Sequence, residues 1–244
     1  MIILAIDTSA TATAALTDGE TVLSEWSAAA GGKHAELTGP AVRELTAGRP
    51  APELVVTGIG PGPFTGLRAG IATAIGYGLG AGIPVHGVPS HLALAVRTYR
   101  RLDPGTPLLA VTDARRQEVY WTRFSGVDEH GVPTPTAGPE VSAPAELAAR
   151  LSGSAGDQPL AGEQLLSGGQ PLAGIGGGFE LYPDVLAVPE AVDPILDTSP
   201  PAAADLAIAA HRILAAGGQL WPTTPLYLRA PDAAPAARRE TSLR

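Results

Sequence analysis

Short apolar runs alternate with polar and glycine-containing stretches along this chain, and their periods predict both strands and helices. Residues 2–6 are apolar, and residues 11–17 and 21–26 continue the strand pattern. Asp18-Gly19 is a strong hairpin signal between the last two runs. The chain is therefore predicted to open with a β-meander.

Helical and strand patterns then alternate up to a turn at Asp103-Pro104-Gly105. The predicted elements are a helix over 34–47, a strand over 54–58, a helix over 65–80, a strand over 83–88 and a helix from Ser90 to about Arg101. Thr65 and Ser90 are the expected N-caps of the last two helices.

A similar set follows the turn. It comprises strands over 108–112 and 118–124, a loop-like stretch over 125–145, a helix over 144–151, a glycine cluster at 174–178 and a helix over 202–216. The pattern fits two α/β lobes. We assign 1–103 to the first lobe and 104–201 to a smaller second lobe. Residues 202–229 are expected to pack back on the first, and 230–244, rich in Pro and Ala, to be a mobile tail.

Composition narrows the class of protein. Hydrophobic residues make up 45% and charged residues 16%, as in a globular protein, and there are no cysteines for disulfides or thiolate ligands. No apolar run has the length of a membrane helix, and the N-terminus lacks the features of a signal peptide, so a cytoplasmic location and no membrane partner are expected. The net charge is −8 with no dense basic run, which predicts little direct binding of nucleic acid.

The glycine-rich stretch 58–82 has the position of a phosphate-binding loop. Gly66 is followed by Leu67 and Arg68, so the lysine and hydroxyl of a P-loop are missing. Pro61 and Pro63 also remove two backbone donors, and phosphate cradles are built from such donors. A fixed turn is the better interpretation.

The following helix carries a small residue every four positions, at Gly66, Gly70, Ala74 and Gly78. An interior glycine costs about 1 kcal/mol relative to alanine, so close packing must offset these residues. They could pack against the protein's own sheet, which the period alone slightly favours, or against a helix of a partner chain. Arg68 in the first turn opposes the helix dipole and suggests a role outside local stability.

Other candidate sites have ordinary structural explanations. Asp7-Thr8-Ser9 after the first strand could hold Mg²⁺ or phosphate, but a strand-ending turn is the commoner meaning. The segment 113–118 could form a carboxylate–guanidinium site, but a salt-bridged hairpin turn is commoner. No two histidines are four apart, as a helical zinc pair requires, so no metal site is predicted.

Several stretches together resemble the TsaB (YeaZ) family. They are MIILAIDTS, HAELTGP, GPGPFTGLRAGIATAIG, IPVHGVPSHLALA, DARRQEVYW and PLYLR. They occur in the order of the family and cover most of 1–124 and the C-terminal end. The GPGPFTGLR and DARRQEVY segments are the most specific.

The resemblance implies an α/β, two-lobed actin/Hsp70/acetate-sugar kinase-like (ASKHA) fold with ribonuclease H-like lobes. It implies a non-catalytic scaffold subunit that dimerises with its paralogue TsaD and forms a similar homodimer when alone. With TsaD and the ATPase TsaE, such a subunit supports threonylcarbamoyl transfer to the adenosine beside a tRNA anticodon. The tRNA is reached mainly through the complex. ATP and metal belong to the partner subunits, and no cofactor is expected on this chain.

The resemblance also implies site residues. The expected partner contacts are His34, Leu37, Val42, Gly66, Arg68, Gly70, Ala74 and Gly78, and Ala74→Glu is expected to abolish pairing. Asp7, Thr8 and Ser9 would be a vestigial nucleotide site. TsaD holds its metal through a His-x-x-x-His pair, which falls here on Gly87 and His91, so the first ligand is missing.

Two alternatives stay open at this point. One is an ATP-dependent phosphotransferase of the same fold, for which Asp7 and the glycines of 174–178 are the only candidate groups. The other is a metallopeptidase, which lacks a second ligand beside His91.

Overall fold

The computed structural model describes residues 1–29, 34–151, 172–186 and 197–229. Two sheets form its framework, and four strands of each follow the same order. The strands are β1 (Ile2–Asp7), β2 (Thr13–Asp18), β3 (Thr21–Ser27), β4 (Leu54–Gly58), β5 (Val85–Val88), β6 (Leu108–Asp113), β7 (Val119–Val127), β8 (Pro133–Ser142) and β9 (Ala173–Ile175). The helices are α1 (His34–Thr46), α2 (Phe64–Ala81), α3 (Ser90–Thr98), α4 (Pro144–Leu151), α5 (Gly178–Leu181) and α6 (Ala203–Ala215). The predicted α/β class is confirmed.

The first sheet has the order β3-β2-β1-β4-β5, with an antiparallel meander and parallel β4 and β5. The second has the order β8-β7-β6-β9, again an antiparallel meander followed by a parallel strand. Each of β6 to β9 thus takes the place that β1 to β4 take in the first sheet. Two lobes of one topology follow from this repeat.

Strand β1 is apolar from Ile2 to Ile6 because helices cover both faces of its sheet. Leu4 and Ile6 point into a core with α1 and α2, whereas Ile3 and Ala5 point into a core with α3 and α6. The second of these cores continues into the other sheet through Leu108, Ala110, Phe124 and Ile175. Helices α3 and α6 therefore lie between the two sheets.

Three local predictions were wrong. Helix α2 begins at Phe64 after Pro63, and α3 begins at Ser90 after Pro89, so neither Thr65 nor Ser90 is an N-cap. Helix α3 also ends at Thr98 rather than near Arg101.

The stretch 125–145, which was predicted to be loop-like, contains strand β8. Its prolines, Pro133, Pro135 and Pro139, obscured the strand pattern. Within the described residues β8 is an edge strand with an irregular register, and an edge is where prolines can be tolerated. The proposed tail, 230–244, lies outside the described residues.

Candidate functional site

The carboxyl end of β1 carries a buried carboxylate whose two oxygens are both engaged. Asp7 Oδ1 accepts hydrogen bonds from the backbone N–H of Ser9 at 2.8 Å and from Ser9 Oγ at 2.6 Å. Asp7 Oδ2 accepts one from Ser90 Oγ at 2.6 Å. Asp7 is 0% exposed, and burial raises its pKa against the opposing effect of these hydrogen bonds.

Backbone packs directly over this turn. A Cβ on Gly62 would lie 2.5 Å from the carbonyl oxygen of Ser9, and one on Gly58 would overlap the Asp7 carboxylate. Thr8 is also buried, and its hydroxyl donates to the Gly66 carbonyl at 2.7 Å. Asp7, Thr8 and Ser9 therefore lie at the end of β1, with Gly58 and Gly62 packed directly against the turn.

The second candidate phosphate loop is packed in the same way. A Cβ on Gly176 or Gly178 would overlap Val111 of β6, and the Gly176 N–H donates to the Asp197 carbonyl at 2.7 Å. These glycines therefore have a structural explanation, which is the close approach of the chain to β6.

His91 connects the two lobes and has no free nitrogen. Its Nδ1 lies 2.8 Å from Thr122 Oγ1 and its Nε2 lies 2.9 Å from Thr112 Oγ1. Burial lowers the pKa of His91 to about 3, so the ring is neutral at physiological pH. Gly87 has no space for a longer side chain, because a Cβ there would lie 2.5 Å from Ile59 Cγ2 and from the Pro222 carbonyl.

Within the described residues, no group of three or more His, Cys, Asp or Glu side chains is arranged to hold a metal ion. In the same part of the chain, no helix has both the length and the apolar character needed to cross a membrane.

Helix α2 turns its predicted contact residues inward. A Cβ on Gly70 would overlap Thr8 Oγ1, a Cβ on Gly78 would overlap Val85, and Ala74 is 0% exposed. The small-residue face of α2 thus packs on the protein's own sheet, and this packing offsets the cost of its glycines. Gly70, Ala74 and Gly78 are therefore buried within the chain itself, which favours the alternative that they pack against the protein's own sheet.

The other predicted contacts differ in exposure. Val42 is 3% exposed and belongs to the core, whereas Leu37 is 44% exposed. Arg68 is exposed and Gly66 is half-buried. His34 is the first residue of α1, and its side chain lies outside the described part of the molecule.

The opposite side of α2 is open, and we call it the open face. It consists of Thr65, Ala72, Gly76, Leu79 and Gly80. Leu79 is 79% exposed, and a Cβ on Gly76 or Gly80 would have no neighbour within 4 Å. Arg68, one turn before Ala72, lies on the same side of the helix, and Gly76 and Gly80 place no side chain between the backbone and an approaching surface.

An arginine–aromatic cluster, formed by Phe64, Arg68 and Tyr227, caps the N-terminal end of α2. The guanidinium of Arg68 lies 3.7 Å from the centre of the Phe64 ring, and its Nε donates to the Tyr227 hydroxyl at 2.8 Å. The rings of Phe64 and Tyr227 stack at 4.9 Å. The sequence contained both segments of this cluster but gave no sign that they meet.

Arg229 extends the cluster to the turn between β6 and β7. It forms an ion pair with Glu118, and its Nη1 donates to the Ala114 carbonyl at 2.8 Å. Arg115 pairs with Asp113 at 3.0 Å, which confirms the salt-bridged hairpin turn. Three segments that carried the family resemblance, GPGPFTGLR, DARRQEVY and PLYLR, therefore meet at one place on the molecule.

A family model described as "TsaD: tRNA N6-adenosine threonylcarbamoyltransferase" matches residues 28–221. The chain belongs to this family, on its TsaB (YeaZ) branch. The branch is indicated by a segment of 75 residues, 31% of this chain and 32% of its relative, that is 44% identical to the Escherichia coli protein named tRNA threonylcarbamoyladenosine biosynthesis protein TsaB.

Other relatives match a longer part of this TsaB-type chain. An uncharacterized protein of Mycobacterium leprae is 39% identical over 189 residues, and one of Mycobacterium bovis is 36% identical over 186 residues. These matches cover 75% and 76% of this chain, but 40% and 68% of the two relatives.

A solved structure titled "YeaZ from Pseudomonas aeruginosa" matches with a TM-score of 0.71 and 26% identity, over 93% of this chain and 99% of that one. Together with the repeated sheet topology, this match confirms the two-lobed ASKHA-like fold. The TsaB-type sequence motifs therefore predicted both the family and the architecture.

Proposed function

We propose that this chain acts in the biosynthesis of tRNA threonylcarbamoyladenosine as a non-catalytic scaffold subunit. In this proposal it pairs with a TsaD paralogue, and TsaE docks on the pair. The assembly transfers a threonylcarbamoyl group to the adenosine beside the anticodon. The similarity to the E. coli protein named for this biosynthesis supports the reaction class.

The open face of α2 is the observation that carries the pairing. Gly76 lies in the interior of the helix, costs about 1 kcal/mol there, and has no neighbour in the described structure to offset that cost. Leu79 exposes 79% of its surface on the same face. A partner helix that approaches closely would bury Leu79 and use the absence of a side chain at Gly76. The same face would support a homodimer when the partner is absent.

Helix α1 contributes to the same surface. It contacts α2, its Leu37 is 44% exposed, and Gly39 has no neighbour within 4 Å of a Cβ position. The proposal therefore retains the predicted pairing through α1 and α2. It assigns the contacts to exposed residues of these helices instead of the buried ones.

The hydrogen bonds and packing of the candidate catalytic residues support a non-catalytic role. Asp7 is the carboxylate that the phosphotransferase alternative would use, and both its oxygens accept hydrogen bonds at a fully buried position. His91 is occupied by two threonine hydroxyls, and Gly87 offers no ligand. These contacts count against the phosphotransferase and metallopeptidase alternatives.

Reconstitution tests the proposal. The cognate TsaD and TsaE are combined with tRNA and threonylcarbamoyl-adenylate, and the modified base is measured with and without this chain. Modification should depend on the chain, while the chain alone should neither hydrolyse ATP nor modify tRNA. Undiminished modification without it, or ATP turnover by the isolated chain, would overturn the proposal.

A further inference from the structure

Positive charge is gathered at one end of an acidic molecule. Four arginines from distant positions meet around the arginine–aromatic cluster and the β6–β7 turn: Arg68, Arg115, Arg116 and Arg229. Two carboxylates lie among them, those of Asp113 and Glu118. Among the described residues, the region thus groups four arginines with two acidic side chains in a chain whose net charge is −8.

The β6–β7 turn holds two of these arginines at its tip. Arg115, Arg116 and Gln117 have φ values of 60°, 56° and 62°, a conformation that costs about 1 to 2 kcal/mol for each residue with a side chain. Arg229 supports the turn by donating to the Ala114 carbonyl. Arg115 and Arg116 are exposed, and the Arg115 side chain is 75% accessible.

Exposed aromatic rings lie beside these charges. Phe64 and Tyr227 are each 42% exposed although they stack on one another. The guanidinium of Arg68 lies over the Phe64 ring and also donates a hydrogen bond to Tyr227. The rings and the guanidinium plane are thus fixed before any ligand arrives.

We propose that this region, Phe64, Arg68, Arg115, Arg116 and Tyr227, is a contact surface for single-stranded RNA. Surfaces that bind single strands combine arginines that follow the phosphates with aromatic rings on which bases stack. An acidic protein segment would use the charges but would not need exposed ring faces. The inference rests on the proposed function, which supplies a tRNA loop as the RNA.

The surface is small, so binding is measured on the assembled complex with TsaD. The probe is a fluorescently labelled anticodon stem-loop, titrated at several salt concentrations. Replacing Arg115 and Arg116 together by alanine should weaken binding about tenfold at physiological salt and reduce the slope of log K against log salt by about 1.4, as expected for two lost contacts to a single strand. Phe64→Ala should weaken binding about tenfold with little change in that slope.

Arg49→Ala/Arg101→Ala is the matched control. It removes the same charge from two exposed arginines outside the cluster and the turn, and it should leave both the affinity and the slope nearly unchanged. If the control and the Arg115/Arg116 variant weaken binding equally, only net charge matters and the site is refuted.

Three further outcomes separate this inference from the proposed function. If the variants assemble with TsaD and bind the stem-loop like the wild type, the RNA surface is refuted while the scaffold function stands. If they bind RNA normally but fail to recruit TsaE, the surface is a protein docking site. If the wild-type chain forms no complex with TsaD, the proposed function fails first.

Discussion

Replacing glycine by alanine at two positions of α2 should have opposite effects on stability. At Gly76 the new methyl group meets no atom within 4 Å, so only the helix propensity changes and the free energy of unfolding should rise by about 1 kcal/mol. At Gly70 the methyl group would overlap Thr8 Oγ1 and lie 3.1 Å from Thr8 Cγ2.

Thr8 cannot move aside without a cost. It is 3% exposed, and its hydroxyl is hydrogen-bonded to the Gly66 carbonyl. Overpacking costs about 1 to 3 kcal/mol, and loss of the hydrogen bond about 1 kcal/mol more. After the gain in helix propensity, Gly70→Ala should destabilise the chain by about 1 to 3 kcal/mol. The two variants should therefore differ by about 2 to 4 kcal/mol.

Urea denaturation of the isolated chain measures this difference as a shift of the midpoint at constant m-value. Protein concentration must be varied, because a homodimer would make the apparent stability depend on it. Thr8→Ala in the Gly70→Ala background should recover part of the loss, as a double-mutant cycle would show. Equal destabilisation by both variants would refute the assignment of the buried and open faces.

Four other changes test the remaining contacts. Leu79→Glu should abolish pairing with TsaD in size-exclusion experiments without destabilising the lone chain, whereas Leu181→Glu, at a 54% exposed residue, should not affect pairing. Ala74→Glu should instead prevent stable folding, because Ala74 is fully buried. Ser90→Ala should lower the free energy of unfolding by about 1 to 3 kcal/mol, because Asp7 Oδ2 loses its donor, while Ser27→Ala at an exposed position should be neutral. The pKa of His91 in the folded chain, about 3, lies below its ordinary value of 6.5. The contribution of His91 to the free energy of unfolding is therefore complete above pH 6.5 and falls by about 1.4 kcal/mol per pH unit below it. His91→Gln should flatten the pH profile of stability, measured by urea denaturation, between pH 6.5 and 5, and an unchanged slope would contradict the neutral, buried ring.

The sequence predicted those features that depend on local pattern. The meander from residue 2 to 27, the helix from Phe64 and the hairpin turn at Arg115 are encoded by neighbouring residues, and the structure contains all three. Strand β8 was missed because its prolines suppress the pattern by which a strand is recognised. The caps were misplaced because the hydroxyl of Ser90 serves Asp7, 83 positions away, instead of its own helix.

The arginine–aromatic cluster could not be predicted by any local reading. Arg68 and Tyr227 are 159 positions apart, and Arg229 reaches Ala114 across 115 positions. Each arginine alone is an ordinary surface residue in an acidic chain. Only the path of the C-terminal segment, which pairs with β5 at Gly87 and with Ile59 through Leu226, brings them together.

The packing of α2 accounts both for the buried end of β1 and for the open face of the helix. The sequence period could not separate the two faces, because both carry small residues four positions apart. The contacts of α2 in the structure distinguish the two faces. Gly66 and Gly70 allow the helix to pack directly on Thr8, next to Asp7. A Cβ on Gly76, on the opposite side, would have no neighbour within 4 Å. A helix this close to β1 packs directly on the Asp7-Thr8-Ser9 turn and leaves Gly76 and Gly80 exposed on its other side. The same packing therefore accounts both for the close contacts around Asp7 and for the exposed glycines that the proposed pairing would use.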